Sequence, residues 1–243
     1  MLHPFGCEYA EAPRWNSFER LYIRFFGQVD LPTRMRARLI RKALRRVPWQ
    51  TMLDFGSGTG AYSLYFSRSS KVHVWGMDTD PARISECIAL SRNLKRKSVD
   101  FICCSHIFET SRFEPDSIDV VLAVEVLHDL PNIQAGLREI RRVLKPGGHL
   151  ISHIPLSGHT GKPEAILFDI EKLVSFLKEV ELEPVSITRS FGRSANLLAR
   201  IFSRYSHSRF VTAIIFPILM LVSIPFGGEN SGGIYCIAVA RKK

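Results

Sequence analysis

The middle of the chain alternates short apolar segments with longer amphipathic ones. From residue 51 onward, runs of about five apolar residues predict β-strands, and the segments between them have apolar positions at helical spacing. Strands that alternate with helices are typical of a parallel sheet covered on both faces. The predicted strands are 51–55, 71–77, 99–104, 118–124, 148–154, 184–191 and 233–240. The predicted helices are 60–68, 81–95, 132–143 and 164–180, with a Pro-Gly-Gly turn ahead of the fifth strand.

Two amphipathic segments precede the first predicted strand. Apolar residues recur at helical spacing within 14–26, and 33–46 carries seven basic residues around an apolar stripe. The sequence therefore predicts a basic helical N-terminal cap over residues 1–50 and an α/β domain over residues 51–243. The cap has two open interpretations: helices that cover the sheet and expose a solvated basic face, or a basic surface that binds a partner.

The last two predicted strands are separated by an insertion, residues 194–232, that is far longer than a hairpin needs. Its first part, 194–209, is basic and amphipathic, whereas 210–226 is uncharged, apolar and contains two prolines. A helix that spans a bilayer needs about 20 residues. The apolar segment therefore predicts an interfacial or re-entrant element, with a flap over an active site as the alternative.

Charge is distributed unevenly along the chain. The net charge is +10, but residues 1–50 carry +6, residues 51–188 carry −3 and residues 189–243 carry +7. Basic ends around an acidic middle favour an anionic partner, either membrane headgroups or a phosphate backbone.

Cysteine and histidine usage bounds the compartment and the chemistry. The five cysteines, an odd number, do not form a disulfide framework, and the N-terminus lacks an apolar signal segment, so we expect a reducing, cytoplasmic setting. Neither the cysteines nor the eight histidines show metal-ligand spacing, and no metal is predicted.

A glycine-rich loop carries the clearest chemical signal. The segment 53–60, LDFGSGTG, places Asp54 at the end of the first strand and then three alternating glycines. Such glycines tolerate positive φ and let a ligand approach bare backbone, while the next helix presents free N–H groups. Asp78 ends the second strand, where an acid can bind both ribose hydroxyls. These residues fit either a dinucleotide or an adenosyl site.

Four motifs in order resemble those of the class I S-adenosylmethionine-dependent methyltransferases, most of all the branch that includes the ubiquinone and menaquinone methyltransferases. They are 53–60, Gly76-Met77-Asp78, 118–128 and Leu144–Gly148. The resemblance covers about residues 50–155 and implies a methyltransferase with S-adenosylmethionine as its cofactor. It also implies an α/β, Rossmann-like fold with a seven-stranded, mostly parallel sheet and an antiparallel last strand.

The same resemblance implies roles for individual residues. By position, Asp54 would orient the methionine amino group, Asp78 would bind the ribose hydroxyls, and the backbone of Ala123 and Val124 would line the methionine end. After the third strand, where the family often has an acid, this chain has Ser105. The predicted cofactor-binding residues are Asp54, Gly56, Ser57, Gly58, Gly60, Asp78, Thr79, Ser105, His106, Ala123 and Val124.

A hydroxyl acceptor would also need a base. His128 follows the fourth strand, and a histidine side chain is suited to proton removal near neutrality, so His128 is the predicted catalytic base. The alternative is a histidine that packs against or caps the turn at 129–131. His153 and His159 follow the fifth predicted strand at the same edge, and they are predicted to be structural or to line the substrate.

Several acceptors remain open. The basic ends and the apolar segment favour a lipid, quinone-like or lipid-linked acceptor at an anionic membrane surface, with the protein peripheral on the inner face. An RNA methyltransferase that binds phosphates through its basic ends is an alternative, although the uncharged segment is unlike a nucleic-acid surface. A small-molecule methyltransferase with 194–232 as a flap is another. A binding subunit without activity is disfavoured by the intact Asp54, glycine loop and Asp78.

Overall fold

The computed structural model describes residues 4–27, 31–105, 112–156, 169–192 and 233–243, together with 197, 198, 200, 201, 214, 217 and 218. Several predictions lie outside the described residues: His106, His159, the start of the predicted helix 164–180, and most of the insertion 194–232.

The described elements follow the predicted alternation of strands and helices. The helices are α1 (Ser17–Phe26), α2 (Leu31–Leu44), α3 (Ala61–Phe66), α4 (Pro81–Asn93), α5 (Ile133–Val143) and α6 (Ile170–Glu179). The strands are β1 (Thr51–Phe55), β2 (His73–Asp78), β3 (Val99–Cys103), β4 (Ile118–Val124), β5 (Leu144–Pro155), β6 (Leu182–Ser190) and β7 (Tyr235–Lys242). Short 3₁₀-helices lie at Cys7–Glu11 and Leu127–Asp129.

The seven strands of the described residues form one sheet in the order β3-β2-β1-β4-β5-β7-β6. The first five pair in parallel, and β7 runs antiparallel to both β5 and β6. The predicted mostly parallel sheet with an antiparallel last strand is therefore confirmed. The chain moves outward from β1 to β3 and then returns to β4 on the other side of β1. Ligands of open α/β sheets bind at the carboxyl ends of the strands at such a switch point.

The fifth strand begins earlier than predicted. β5 starts at Leu144, and the predicted turn at Pro146-Gly147-Gly148 lies inside the strand as a bulge. Ile118 of β4 pairs with Leu144, but Val120 pairs with His149, so the extra residues of β5 are looped out. Gly148 has to be small there, because a Cβ would lie 2.8 Å from the carbonyl oxygen of Lys145.

Helices cover both faces of the sheet, and the side chains of β1 alternate between them. Leu53 and Phe55 belong to the core that includes α5 and α6. Met52 belongs to the opposite core, which includes α2 and α3. Asp54 points to this second side, where it contacts α3.

The two helices of the predicted cap behave differently. α2 buries Ala37, Ile40 and Leu44 in the core that it shares with the sheet, as a covering helix does. α1 buries Ile23 but leaves most of its apolar residues exposed. The boundary between a cap and a methyltransferase domain stays a prediction.

Within the described part of the chain, no helix is both long and apolar enough to cross a bilayer.

Candidate active site

A cavity of about 750 Å³ lies at the carboxyl edge of the sheet, at the switch point between β1 and β4. Eight of the predicted cofactor-binding residues line it: Asp54, Gly56, Ser57, Gly58, Asp78, Thr79, Ser105 and Val124. Gly60 and Ala123 do not line it. Gly60 precedes α3 with a φ of 73°, and Ala123 is buried within β4. The sheet therefore brings most of the predicted site residues together around one space.

The glycine loop is tied to the end of β2. The backbone N–H groups of Gly56 and Ser57 both donate to the carbonyl oxygen of Met77, each at 2.9 Å. Gly56 has a φ of +75°, and a Cβ there would lie 2.6 Å from Val126 Cγ2. The loop therefore lies too close to its neighbours for a side chain at Gly56.

Asp78 fixes the next turn of the loop. Its Oδ2 accepts a 2.7 Å hydrogen bond from the N–H of Gly58, and its Oδ1 accepts one of 3.0 Å from the N–H of Asp80. Because each carboxylate oxygen has more than one acceptor site, these bonds orient Asp78 and leave capacity for a ligand's hydroxyls.

Asp54 is a buried acid at the inner end of the cavity. Its Oδ2 accepts hydrogen bonds from Ser63 Oγ (2.6 Å) and from the N–H of Ser63 (3.2 Å). Burial raises the pKa of Asp54 to about 6, although the bonds from Ser63 oppose the change. A cationic ligand group beside this carboxylate would favour its charged form.

A polar ligand also suits Ser57. Its Oγ is buried at the cavity wall, and within the described residues it has no hydrogen-bond partner. Buried hydroxyls normally have one. With the buried acid of Asp54 and the close-packed glycine loop, these features fit the amino acid and ribose parts of S-adenosylmethionine.

Comparison with known proteins agrees with this geometry. Residues 53–152 match the family described as methyltransferase domain. Residues 53–152 therefore carry a methyltransferase domain. The predicted family, its enzyme class and S-adenosylmethionine as its cofactor are confirmed at the level of this domain.

Two curated relatives illustrate the breadth of the family. The chain is 33% identical to sterol 24-C-methyltransferase erg6 of Schizosaccharomyces pombe, over 42% of this chain and 26% of that protein. It is 28% identical to the ubiquinone biosynthesis O-methyltransferase of Aeromonas salmonicida, over 63% of this chain and 64% of that protein. The chain therefore spans from about a quarter to just under two thirds of these relatives.

A solved structure shares the fold. The geranyl diphosphate C-methyltransferase of Streptomyces coelicolor, in complex with Mg²⁺, geranyl diphosphate and S-adenosyl-L-homocysteine, superimposes with a TM-score of 0.63. The sequences are 16% identical, and the match covers 99% of this chain and 90% of that one.

Sequence reasoning missed an acid in the methyltransferase domain's cavity. Glu125 directly follows β4 and lines the cavity. Its Oε1 is 2.6 Å from Nδ1 of His153 and 3.2 Å from Nη1 of Arg36. Burial alone would raise the pKa of Glu125, but the hydrogen bond from His153 and the charge of Arg36 outweigh it and lower the pKa. An acid at the carboxyl end of a predicted central strand was the signal that could have found it.

His153 lies inside β5 rather than after it, and it is buried. Burial lowers its pKa. Its Nε2 is 3.1 Å from Ser190 Oγ, and its ring stacks on Tyr235 with centroids 5.1 Å apart.

The N-terminal segments also reach the cavity. Thr33 and Arg36 of α2 line it, and Tyr9 donates a 2.9 Å hydrogen bond to the carbonyl oxygen of Thr59 in the glycine loop. Both interpretations of the basic cap placed the arginines of α2 on its outer face, and the sequence pattern did not show that Arg36 faces the cavity.

His128, the predicted base, does not line the cavity. It is buried in the short helix Leu127–Asp129, with Nε2 at 3.6 Å from Asp129 Oδ1. Its catalytic role stays a prediction, and this placement supports the alternative in which it packs beneath the turn. Within the described residues, no three His, Cys, Asp or Glu side chains are grouped as metal ligands.

Proposed function

We propose that the protein transfers a methyl group from S-adenosylmethionine to a lipid, quinone-like or lipid-linked acceptor at an anionic membrane surface. The observation that carries methyl transfer is the cavity itself, where Asp54, the glycine loop and Asp78 converge at the switch point of the sheet. In this proposal Asp54 holds the methionine ammonium and Asp78 holds the ribose hydroxyls. Bound S-adenosylmethionine supplies a methyl group activated on a sulfonium, and the chain positions the acceptor for in-line attack.

The acceptor class is supported by the relatives. One is named for a sterol and another for ubiquinone biosynthesis, so both names point to apolar molecules that partition into membranes. We therefore propose an apolar, membrane-partitioning acceptor for this protein and name no single compound.

The exposed face of α1 supports the membrane surface. Phe18, Leu21 and Phe25 lie on one side of this helix and are 72%, 54% and 65% exposed. An apolar patch of this kind marks an interaction site. The exposed arginines Arg14 and Arg24 flank it, which gives the combination of apolar burial and basic charge that binds anionic bilayers.

The exposed apolar face of α1 is connected to the cavity through α2. A short connection, 27–30, joins α1 to α2, and Thr33 and Arg36 of α2 line the cavity. Docking through α1 would therefore bring one wall of the cavity close to the lipid surface, which suits an acceptor delivered from the bilayer.

Vesicle flotation tests the membrane part. Wild type should float with vesicles that contain phosphatidylglycerol and much less with pure phosphatidylcholine vesicles. The triple variant Phe18→Ser, Leu21→Ser, Phe25→Ser should bind at least about tenfold more weakly, because three apolar side chains no longer enter the lipid. The control Val185→Ser removes a side chain that is 57% exposed on β6 and should float like wild type. Equal flotation of wild type and the triple variant would contradict docking through α1.

Label transfer tests the acceptor class. The protein is incubated with methyl-labelled S-adenosylmethionine and either a lipid extract in phosphatidylglycerol vesicles or a purified RNA pool. The proposal expects label in the lipid fraction. Label confined to RNA, with binding that weakens steeply as salt rises, would replace it with the RNA methyltransferase alternative.

A further inference from the structure

We propose that Glu125 binds the acceptor's hydroxyl group and takes its proton during methyl transfer, so that the product is a methyl ether. His153 and Arg36 act as positioning residues for this carboxylate. The inference rests on the proposed function and assigns the acceptor side of the same cavity.

Sheet order places Glu125 on the acceptor side. Asp78 ends β2 and Ser105 lies after β3, on one side of β1, whereas Glu125 follows β4 on the other side. Adjacent strands are about 4.8 Å apart, so the ends of β2 and β4 flank β1 at roughly 10 Å. If Asp78 binds the ribose, Glu125 lies toward the opposite end, where a reacting group would enter.

The backbone at Glu125 is unusual. Its φ is +57°, a left-handed conformation that non-glycine residues seldom adopt. Two contacts hold it: the N–H of Glu125 donates to the carbonyl oxygen of His153 at 2.9 Å, and the next side chain, Val126, fills the space above Gly56. Such strain concentrates at functional sites, and here it directs an acid at the cavity.

The hydrogen bonds to Glu125 fix the state of His153. An ionised carboxylate only accepts hydrogen bonds, so His153 donates from Nδ1, and Nε2 then accepts from the hydroxyl of Ser190. The imidazole is 1% exposed, whereas the Glu125 side chain is 29% exposed. The buried His153 therefore orients Glu125, and Glu125 is the group of this pair that can contact a ligand.

Charge around Glu125 selects a neutral acceptor. The guanidinium of Arg36 contacts the same Oε1 that His153 contacts, and its positive charge disfavours a cationic amine at this place. A carboxylate requires a hydrogen-bond donor from its ligand. A hydroxyl group meets both conditions. Within the described residues, His153 and Arg36 both contact Oε1 of Glu125, which leaves Oε2 for the acceptor.

Proton transfer to Glu125 balances the reaction. The acceptor oxygen forms a bond to the methyl carbon, the carbon–sulfur bond breaks with its electron pair left on sulfur, and the hydroxyl proton passes to Oε2. The hydroxyl becomes strongly acidic as its oxygen is alkylated, so a carboxylate that is ionised at neutral pH suffices as the base. The partly exposed carboxyl group then releases the proton to solvent.

The test compares matched acid-to-amide variants in the label-transfer assay with the lipid extract. Glu125→Gln should lower the rate of lipid labelling by about 100-fold or more, with the dissociation constant of S-adenosylmethionine changed less than about threefold. Glu183→Gln, at an exposed acid on β6, should label like wild type. Ser190→Ala should lower the rate several-fold, and this effect should vanish in the Glu125→Gln background because both act through one carboxylate.

Product analysis completes the test. Mass spectrometry of the labelled lipid should locate the methyl group on oxygen. Label on carbon or nitrogen, or an unchanged rate in a folded Glu125→Gln protein, would overturn the inference while the proposed function stands. A wild-type protein that labels no lipid would overturn the proposed function, and this inference with it.

Discussion

Asp54 illustrates a residue whose surroundings oppose its charge. Burial raises its pKa from the ordinary 3.8 to about 6. Between these values the unfolded chain is ionised at this position while the folded chain keeps the proton. The free energy of unfolding therefore falls as pH rises through this interval, and the penalty is fully present above about pH 6. In the proposed complex, the methionine ammonium beside Asp54 would offset this penalty.

Asp54→Asn separates ligand binding from stability. The amide oxygen can still accept from Ser63, so the free energy of unfolding at pH 7.5 should stay the same or rise by about 1–3 kcal/mol. Affinity for S-adenosylmethionine should fall at least about tenfold because a charged hydrogen bond is lost. Urea denaturation and calorimetric titration measure the two effects. A variant that is less stable and binds as wild type would refute this role.

Gly56 and Gly58 form a matched pair within the loop. Both have positive φ, but a Cβ at Gly56 meets Val126 at 2.6 Å, whereas at Gly58 the nearest atom is Arg83 Nη1 at 3.8 Å. Gly56→Ala should lower the free energy of unfolding by about 2–4 kcal/mol, from strain and overpacking together. Gly58→Ala should lower it by about 1–2 kcal/mol, the conformational part alone. Equal losses in urea denaturation would show that the contact with Val126 is unimportant.

At single residues, the sequence identified most of the cavity residues that are predicted to bind the cofactor, but it missed Glu125. Asp54 and Asp78 end predicted strands next to glycines, so motif and topology place them together. Glu125 depends on a left-handed backbone and on Arg36 and His153, which are far away in sequence. No local pattern encodes such a cluster.

Among the elements, amphipathic patterns predicted helices but not the face that is buried. α1 and α2 both combine apolar stripes with arginines, yet α2 packs on the sheet and α1 exposes its aromatic side. Periodicity alone does not show whether the apolar face of a helix packs against the core or binds a partner. The early start of β5 was missed for a similar reason. The local sequence Pro-Gly-Gly predicts a turn, whereas pairing with β4 on both sides makes it a bulge within the strand.

The last strand is anchored by a buried lysine. Nζ of Lys242 lies 2.6 Å from Asp116 Oδ1 and 2.7 Å from the carbonyl oxygens of Arg141 and Leu144. Lys242→Met should lower the free energy of unfolding by about 2–4 kcal/mol, because it leaves these acceptors without their donor. Lys243→Met, at the exposed next residue, should change it by less than about 0.5 kcal/mol. Similar values for the two variants in urea denaturation would show that this anchor does not stabilise β7.

For the whole molecule, the N-terminal region and the methyltransferase domain act together. Arg68 of the domain binds the buried Glu8 at 2.5 Å, Tyr9 holds Thr59 in the glycine loop, and Arg36 enters the cavity. The sequence predicted the fold and a basic helical cap over residues 1–50, but it did not show that this region contacts the glycine loop and the cavity. These long-range contacts arise only when the chain is folded, so composition and spacing could not show them.

Tyr9→Phe tests this coupling. Without its hydroxyl, the glycine loop loses a contact with Thr59, so affinity for S-adenosylmethionine should fall about three- to tenfold and stability by about 1 kcal/mol. Tyr65→Phe is the control, since this tyrosine contacts Phe5 and Arg68 through its ring. Calorimetry should show unchanged affinity for that variant. Unchanged affinity of Tyr9→Phe as well would mean that the N-terminal region does not support the cofactor site.

The central claim is that this cavity holds S-adenosylmethionine, and calorimetric titration of the cofactor tests it most directly. Wild type should bind at one site. Asp78→Ala removes the acceptor for the ribose hydroxyls and for the N–H of Gly58, so affinity should fall about 100-fold or more, while urea denaturation still shows a cooperative fold. Binding by Asp78→Ala with wild-type affinity, or no binding by wild type, would contradict the account.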